Sequence, residues 1–183
     1  TTTGIHNLFP QYQSIQIAWW RSPRHARWEK PPEEPVIIDE RVSYLAGLVV
    51  GDGHLLAKSP QVQIALADES PEPIEELLQS LDVRYHLVPG KMLQIRAGVK
   101  MYRIMAAMGI PSGKKSHLVR IPELIIKAPP SCFFAFLAGL IDSDGNFAKD
   151  RPRLRITTVS QALATELQAL ISAYGFRTRC HRF

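Results

Sequence analysis

Two aspartates stand at the ends of two similar apolar segments. Residues 45–53 read LAGLVVGDG and contain Asp52, and residues 137–145 read LAGLIDSDG and contain Asp144. Two helices of this kind packed side by side would bring both carboxylates to one end of their interface. Carboxylate and carbonyl oxygens are the ligands that Mg²⁺ prefers, and paired metal ions suit in-line hydrolysis of a phosphodiester. The repeated motif therefore indicates a divalent-metal site for phosphodiester hydrolysis.

Each segment also has the signals that begin and end a helix. Asp39 and Ser131 are placed to cap the first and second helix, because short polar side chains accept hydrogen bonds from the free N–H groups of a first turn. Gly53 and Gly145 would supply the left-handed residue that ends each helix. Small side chains would let the two helices approach closely. These small residues are Ala46, Gly47, Ala138 and Gly139.

A buried helix followed by an ordinary Asp-Gly turn would explain either segment alone. The similarity, however, extends past both aspartates, which favours a shared site. Residues 61–66 and 153–158 alternate polar with apolar side chains, which predicts strands. Helical patterns and then further strand patterns follow in both halves, at 73–81 and 83–87 and again at 161–174 and 176–180. The sequence therefore predicts an α+β module that occurs twice.

With both motifs and the repeated module in view, the chain resembles the LAGLIDADG homing endonucleases that carry two motifs in one polypeptide. The second motif differs from the family signature only at Ser143, which replaces alanine. The first motif has Val50 and Gly51 in place of aspartate and alanine. The segment between the motifs, GIPSGKKS running into IPE, also resembles this family, especially its intein-associated and archaeal members.

The resemblance implies an α+β fold of two pseudo-symmetric α-β-β-α-β repeats with antiparallel DNA-binding sheets, the second repeat being short. The repeats would span residues 38–130 and 131–183, after a basic, aromatic extension or linker at residues 1–37. It also implies a Mg²⁺-dependent, site-specific endonuclease, encoded by a mobile intron or intein, that hydrolyses one phosphodiester per strand of double-stranded DNA. Mn²⁺ or Ca²⁺ would fit the same site. The target would be long and asymmetric, and the enzyme would be a monomer.

The family's metal-binding positions carry over to Asp52 and Asp144. The carbonyl of the preceding residue often joins the coordination in the family, which here gives Gly51 and Ser143. Asp142 has no counterpart in the first motif and receives no catalytic role.

Family members often place a lysine or glutamine near the metals, to polarise the attacking water or stabilise the phosphorane. The expected strand-end positions, residues 67–69 and 158–160, hold no lysine. Lys114 and Lys115 are therefore the candidates for this catalytic role. A solvated basic loop is an equally good interpretation of these two lysines.

The prediction of DNA binding rests on the side chains of the predicted strands. Alternation places polar side chains on one face of each strand, and Val62, Ile64, Leu154 and Ile156 on the other. Arginine and glutamine read guanine and adenine edges in the major groove, which admits a β-ribbon. The polar faces of these strands could instead simply be exposed to solvent. They carry almost no acidic residues, however, which favours contact with DNA. The predicted DNA-binding residues are Gln61, Gln63, Arg84, His86, Gln94, Arg96, Arg151, Arg153, Arg155, Thr157, Arg177 and Arg179.

Composition agrees with a polyanionic partner. The 183 residues carry a formal net charge of +5 at pH 7, and 45% of them are hydrophobic, enough for one or two modest cores. Cys132 and Cys180 fall in a predicted helix and strand without metal-ligand spacing, so both are expected to be reduced and at least partly buried. No signal peptide or membrane span is predicted. An intracellular protein is expected, in a prokaryotic cytoplasm or inside an organelle.

The N-terminal extension has two interpretations. Trp19, Trp20 and Trp28 stand among basic residues, as in a DNA-contacting arm. Residues 15–19 alternate like a strand that would pack on the domain instead. The proline-rich end of the extension is typical of a linker into the first motif helix.

The second repeat is shorter than the first, since no counterpart of strand 93–96 or of helix 101–108 follows in it. Truncation, completion by a partner chain to give a dimer, and natural reduction all fit, and strand 15–19 is a weaker candidate to fill the gap. One alternative function is a LAGLIDADG-like DNA- or RNA-binding protein, such as an intron maturase or a regulator. Another is the endonuclease portion of an intein.

Overall fold

A computed structural model describes residues 10–18, 33–66, 70–90, 93–147 and 153–181. Within these ranges the chain has the mixed α+β content that the sequence predicts. The elements in chain order are β1 (Gln13–Ala18), β2 (Glu33–Ile38), α1 (Glu40–Val50), β3 (Gly53–Leu56), β4 (Gln61–Leu66), α2 (Glu72–Ser80), β5 (Tyr85–Val88), β6 (Leu93–Ala97), α3 (Val99–Ala107), α4 (Glu123–Lys127), α5 (Pro130–Asp144), β7 (Gly145–Phe147), β8 (Leu154–Ile156) and α6 (Gln161–Ala173). None of the helices in these ranges combines the length and apolar character needed to cross a membrane.

The strands form antiparallel sheets, as predicted. The largest has the order β3-β4-β6-β5, and β1-β2 and β7-β8 form two-stranded sheets. In the four-stranded sheet, Val62, Ile64, Ile95 and Ala97 are buried on the face that packs against the core. The opposite face carries polar side chains. Period-two alternation in the sequence therefore assigns the two faces of this sheet correctly.

The core is built around direct contact between α1 and α5. A Cβ atom added to Gly47 would lie 2.1 Å from the carbonyl oxygen of Phe136, and one added to Gly139 would lie 2.1 Å from that of Tyr44. The two backbones thus meet where neither helix carries a side chain. Phe136 and Leu45 are fully buried beside this contact. The prediction that small residues bring the motif helices together is confirmed for Gly47 and Gly139, whereas Ala138, predicted to do the same, is exposed.

The start of α1 was predicted correctly, but the start of α5 was not. The Asp39 carboxylate accepts hydrogen bonds from the backbone N–H groups of Arg41 and Val42, at 3.0 and 3.1 Å. Helix α5 begins instead at Pro130, whose missing N–H costs nothing in a first turn. The Ser131 hydroxyl is therefore free to donate to a different helix, as described below.

Gly53 and Gly145 have a different role from the one predicted. Neither has a positive φ, and Gly145 is extended, with φ −83° and ψ 152°. Each glycine begins a strand directly, folding back on its own helix. A Cβ atom would lie 2.4 Å from the Cα of Val49 at Gly53, and 2.3 Å from the carbonyl oxygen of Ile141 at Gly145. Close approach, rather than left-handed backbone, requires glycine here.

The predicted strand at residues 176–180 is wrong. In the first repeat the equivalent strand, β5, pairs only with β6. The described part of the second repeat has no strand in the position of β6, so residues 176–180 lack a pairing partner. Cys180 in this segment is exposed, which also contradicts the sequence prediction, whereas Cys132 is buried as predicted.

Residues 13–18 and 33–38 form an N-terminal hairpin. Ile17, Val36 and Ile38 are buried, so the hairpin packs on the domain. The second strand occupies the stretch that composition suggested as a linker, with Pro35 opposite Gln16. This hairpin does not extend the β7-β8 sheet. The three tryptophans of the proposed DNA-contacting arm lie outside the described residues.

The carboxylate of Glu40, at the start of α1, connects this N-terminal segment with α5 through two hydrogen bonds. Glu40 Oε1 accepts hydrogen bonds from the hydroxyls of Tyr12, at 2.8 Å, and Ser131, at 2.6 Å. Hydrogen bonds from Ser131 and then from Tyr12 lower the pKa of Glu40. Because they favour the charged form, the ionised carboxylate is the form that stabilises this junction.

The glycine contact predicts that Gly139→Ala destabilises the protein, by about 2 kcal/mol or more, as overpacking typically does. Helix propensity alone predicts the opposite sign, since alanine is favoured over glycine by about 1 kcal/mol. Urea unfolding measures the difference. Ala138→Gly, at an exposed neighbouring position, serves as the propensity control. A stabilised Gly139→Ala variant would contradict the backbone contact.

The Glu40 junction predicts a pH-dependent loss of stability in Glu40→Ala, by about 1 kcal/mol at pH 7. The folded-state pKa of Glu40 is lowered, so its stabilisation is present above the unfolded-state pKa and is lost as the pH falls through the folded-state value. The difference in unfolding free energy between wild type and variant should therefore shrink toward pH 3. Glu76→Ala, at an exposed position on α2, is the control. An equal difference at both pH values would count against this junction.

Candidate active site

The two aspartates lie at adjoining helix ends. Asp52 directly follows Gly51, which ends α1, and Asp144 is the last residue of α5. A Cβ atom added to Gly51 would lie 2.0 Å from Ser143 Oγ and 3.4 Å from Asp144 Oδ2. The residues that precede the aspartates are therefore in direct contact, and both carboxylates belong to one site.

Electrostatics shows that the carboxylates interact. Burial raises the pKa of Asp144, the negative charge of Asp52 raises it further, and the charge of Lys115 opposes both effects. Asp52 itself is exposed. Two helix C-termini add partial negative charge at the same place. A cation bound between the carboxylates would relieve this repulsion.

Lys115 reaches into this site, whereas Lys114 is exposed. The Lys115 ammonium donates hydrogen bonds to the carbonyl oxygens of Val50, at 2.6 Å, and Gly51, at 3.0 Å. Burial lowers its pKa to about 8, while the negative charges of Asp144 and Asp52 act in the opposite direction. Lys115 therefore caps the end of α1 with a positive charge beside both carboxylates.

The loop that carries Lys115 is fixed on both sides. Gly113 has φ +76°, a conformation that favours glycine, and its N–H donates to the carbonyl of Leu55 on β3 at 3.2 Å. After the lysine, the N–H groups of Leu118 and Val119 donate back to the Lys115 carbonyl, at 2.7 and 3.0 Å. The Gly113 bond anchors the loop to the strand that leaves Asp52, and the other two bonds hold the turn that follows Lys115.

The available donors fit a hard cation. The described residues hold no cluster of three or more histidine, cysteine, aspartate or glutamate side chains. The site offers two carboxylates and main-chain carbonyls, which are oxygen donors of the kind that Mg²⁺ accepts. The Gly51 carbonyl already accepts from Lys115, but a carbonyl oxygen has a second lone pair. The Ser143 hydroxyl donates to Gly139 and Leu140 carbonyls of its own helix, which leaves the Ser143 carbonyl as its candidate ligand.

Asp142 has a structural partner. Its Oδ2 accepts a hydrogen bond from the hydroxyl of Tyr44 at 2.8 Å, which links α5 to α1 along their exposed side. This contact agrees with giving Asp142 no catalytic role.

The structure gathers the predicted DNA-binding residues of the first repeat on one sheet face. Gln61, Gln63, Gln94, Arg96 and His86 occupy alternate positions on β4, β6 and β5, opposite the buried side chains. Arg84, just before β5, is exposed.

His54 also lies on this face, opposite Gln63, and is not among the residues predicted from the sequence. The signal was too short to detect, because β3 has only four residues and follows a helix without a break.

The second repeat presents its predicted residues differently. Arg153, Arg155 and Thr157 are exposed in or beside the short strand β8. Leu154, predicted to lie on the opposite, apolar face, is exposed as well, so alternation does not separate two faces in this short strand. Arg177 and Arg179 are exposed but lie outside any strand. Arg151 lies outside the described residues. The second repeat thus supplies exposed basic groups without a broad sheet.

Comparisons with known proteins agree with this architecture. Residues 131–182 match the family model of a LAGLIDADG-like domain. The chain is 26% identical to elongation factor 2 of Methanopyrus kandleri over 171 residues, and 26% identical to a probable translation initiation factor IF-2 of Thermococcus kodakarensis over 187. It is 27% identical over 145 residues to a DNA polymerase of Thermococcus kodakarensis.

These alignments cover 92%, 96% and 75% of this chain, which spans only 13%, 15% and 8% of the respective relatives. Among solved structures, I-DmoI in complex with DNA and Mn matches with a TM-score of 0.56 at 21% identity, covering 79% of this chain and 82% of that chain. Other structures of I-DmoI contain DNA with Ca, or a point variant with its target DNA and Mg. Residues 131–182 thus match a LAGLIDADG-like domain, and the chain shares the fold of the homing endonuclease I-DmoI.

Proposed function

We propose that the chain is a divalent-metal-dependent, site-specific endonuclease that hydrolyses one phosphodiester in each strand of a long, asymmetric DNA duplex site. The observation that carries this proposal is the placement of Asp52 and Asp144 at adjoining helix ends beside the buried ammonium of Lys115. The presence of DNA with Mn, Ca or Mg in structures of I-DmoI supports it.

The chain's own residues divide the chemistry between them. Asp52 and Asp144, with the carbonyls of Gly51 and Ser143, would hold Mg²⁺, and Mn²⁺ or Ca²⁺ would fit the same oxygen donors. The bound metal supplies Lewis acidity and an activated water. Lys115 keeps a positive charge at a fixed position beside the site, where it can stabilise the negative charge that develops on the phosphorane.

Double-stranded DNA is the proposed substrate because of the polar sheet face and the positive charge of the chain. The formal net charge is +5, and the polar side chains on the open face of the first sheet are glutamine, histidine and arginine, beside Leu56, Ala65 and Val88. Phosphate contacts would give affinity that falls steeply with salt, and base contacts would give specificity. The protein would act as a monomer, since both aspartates lie in one chain.

We further propose an intein origin. The relatives include translation factors and a DNA polymerase, which have different roles, and each is matched over a small share of its length. A segment that recurs in proteins with unrelated roles is better explained as an insertion into those proteins than as a part of their own activities. An intron origin would not by itself explain matches within these proteins. We also propose the domain boundaries, which are an extension at residues 1–37, a first repeat at 38–130 and a second repeat at 131–183.

A DNA- or RNA-binding protein without cleavage is the second candidate. The two-stranded β7-β8 sheet favours it, because the second repeat offers a small surface for holding DNA. Retention of both aspartates and of a buried lysine favours the endonuclease.

The test is incubation of the purified chain with a randomised duplex DNA library and Mg²⁺, followed by sequencing of new ends. Wild type should cut at one recurring long site. Asp52→Asn and Asp144→Asn should each lose at least about a hundredfold in cutting rate, since each removes a charge that binds the metal. Lys115→Met should lose about a hundredfold to a thousandfold, as removal of a preorganised donor to the transition state does.

Asp142→Asn is the matched control, because it neutralises a neighbouring carboxylate that contacts only Tyr44 among the described hydrogen bonds. It should cut like wild type, and chelation of Mg²⁺ should stop all cutting. Enrichment of particular DNA sequences without cleavage would contradict the endonuclease proposal and support the binding protein. Absence of any selection would reject the endonuclease and a sequence-specific DNA-binding protein, and would leave RNA binding as the form of the second candidate.

A further inference from the structure

The strand pair that follows each aspartate is built in the same way in both repeats. In the first repeat β3 pairs with β4 from Gly53 opposite Ile64 onward, and in the second β7 pairs with β8 from Gly145 opposite Ile156 onward. Both pairs are antiparallel and share one register. Each residue of β7 and β8 therefore has a defined counterpart in β3 and β4.

The turn after the next helix is repeated as well. Asp82 follows α2 with φ 51°, and Gly175 follows α6 with φ 88°. The residues after them, Val83 and Phe176, donate their N–H groups to a carbonyl in the last turn of the preceding helix, at 2.9 and 3.2 Å. The chain thus leaves α6 by the turn that leads to β5 in the first repeat. Residues 176–180 are therefore the counterpart of residues 83–87.

The two repeats differ in what lies between these segments. In the first repeat β6 lies between β4 and β5, and α3 packs on β4 and β6. In the described part of the second repeat, β8 pairs only with β7, and residues 176–180 form no strand. The place beside the free edge of β8, facing residues 176–180, is named here the β6-equivalent position. The first repeat fills its own with the buried side chains of Ile95, Ala97, Met101, Ile104 and Met105.

Side chains at core positions of the second repeat are apolar but exposed. Leu55 and Val62 of the first repeat are 1% and 0% exposed, whereas their counterparts Phe147 and Leu154 are 69% and 40% exposed. Phe176 is 58% exposed, although its counterpart in the first repeat is buried. Grouped apolar side chains on a surface mark a place where another polypeptide binds. The free edge of β8 also offers main-chain groups that can pair with a further strand.

The outward side of the β6-equivalent position favours a negative charge. In the first repeat Arg96 on β6 lies between Gln63 on β4 and His86 on β5. The counterparts of Gln63 and His86 are Arg155 and Arg179, and both are exposed. Opposite charges on neighbouring strands attract, and like charges directly opposite destabilise the pair. A strand between the two arginines is therefore stabilised by a carboxylate where β6 has an arginine.

A second copy of the chain is poorly suited to this position. Its own β6 and α3 are buried in its first repeat, so lending them would expose an equal apolar surface there. Pairing of two β8 edges would bring arginines of both copies together, which like charges oppose. A different polypeptide segment fits better.

We propose that the β6-equivalent position is a docking site for a strand–helix segment of a partner polypeptide. The strand pairs antiparallel with β8, as β6 does with β4, and places Asp or Glu outward between Arg155 and Arg179. Its inward side chains and the amphipathic helix that follows it cover Phe147, Leu154 and Phe176. Main-chain hydrogen bonds supply affinity, and the alternating side chains supply specificity.

The probe is a synthetic peptide of residues 93–109, which contain β6 and α3, carrying Arg96→Glu. The unchanged peptide is the charge control. Titrated into the full chain, the Arg96→Glu peptide should bind one per chain and about tenfold more tightly than the unchanged peptide. Salt should reduce this difference, because it screens exposed charges. Equal affinity of the two peptides would contradict the charge complementarity.

Variants of the chain test the apolar contact. Phe147→Ser and Phe176→Ser should each weaken binding of the Arg96→Glu peptide by at least about tenfold, since each removes a large apolar side chain that the peptide covers. Both positions are exposed in the free chain, so neither variant should lose stability. Ile37→Ser, at an exposed position on β2, is the matched control and should bind the peptide like wild type.

Hydrogen exchange locates the bound peptide. Amides of residues 154–156 and 178–180 should become protected, while those of β4 and β5 stay unchanged. Altered protection in β4 would mean exchange with the chain's own β6 and would overturn the proposal. A dimer of the free chain that Phe176→Ser dissociates would make a second copy the occupant instead.

A fusion keeps the test decisive where the free peptide is poorly soluble. The Arg96→Glu peptide, joined to Phe183 by a flexible Gly/Ser linker, reaches an effective concentration of roughly millimolar. Unprotected amides at residues 154–156 in this fusion would reject the docking site. No step uses DNA, so the outcome is independent of the proposed endonuclease.

Discussion

The structure depends on direct backbone contact between α1 and α5. Gly47 faces the carbonyl of Phe136, and Gly139 faces that of Tyr44, with no room for a Cβ atom at either glycine. Packing at this distance fixes the relative height of the two helices as well as their separation. The last residues of both helices therefore meet, so the distance between Asp52 and Asp144 is set by glycines more than one helical turn away from them.

The same contact creates an electrostatic cost. Two carboxylates and two helix C-termini concentrate negative charge at one point. Burial raises the pKa of Asp144, and the negative charge of Asp52 raises it further. Lys115 offsets part of it, yet it comes from the loop between the repeats rather than from either motif helix. Ser143 fills the space beside Gly51, where a Cβ atom would lie 2.0 Å from its hydroxyl oxygen. The two departures from the family motif at these facing positions are thus sterically complementary.

Local sequence predicted the features that depend on neighbouring residues. The cap at Asp39, the alternation of β4 and β6, and the small residues between the helices were all evident from the sequence. Features that depend on distant partners were not. Ser131 donates to Glu40, 91 positions away, instead of capping its own helix. Residues 176–180 alternate like a strand but have no strand to pair with, and Lys115 differs from Lys114 only through contacts with α1.

The sheets of the two repeats differ in size, which suits the repeats to different tasks. The first repeat presents amide, imidazole and guanidinium groups on four paired strands, where backbone hydrogen bonds hold each side chain in register. In the described part of the second repeat, arginines project from a two-stranded sheet and from residues 176–180, which form no strand. Base-edge recognition needs side chains at fixed positions, whereas phosphate attraction tolerates movement. Under the proposed function, the first repeat would discriminate sequence, and the second would add affinity and the second aspartate.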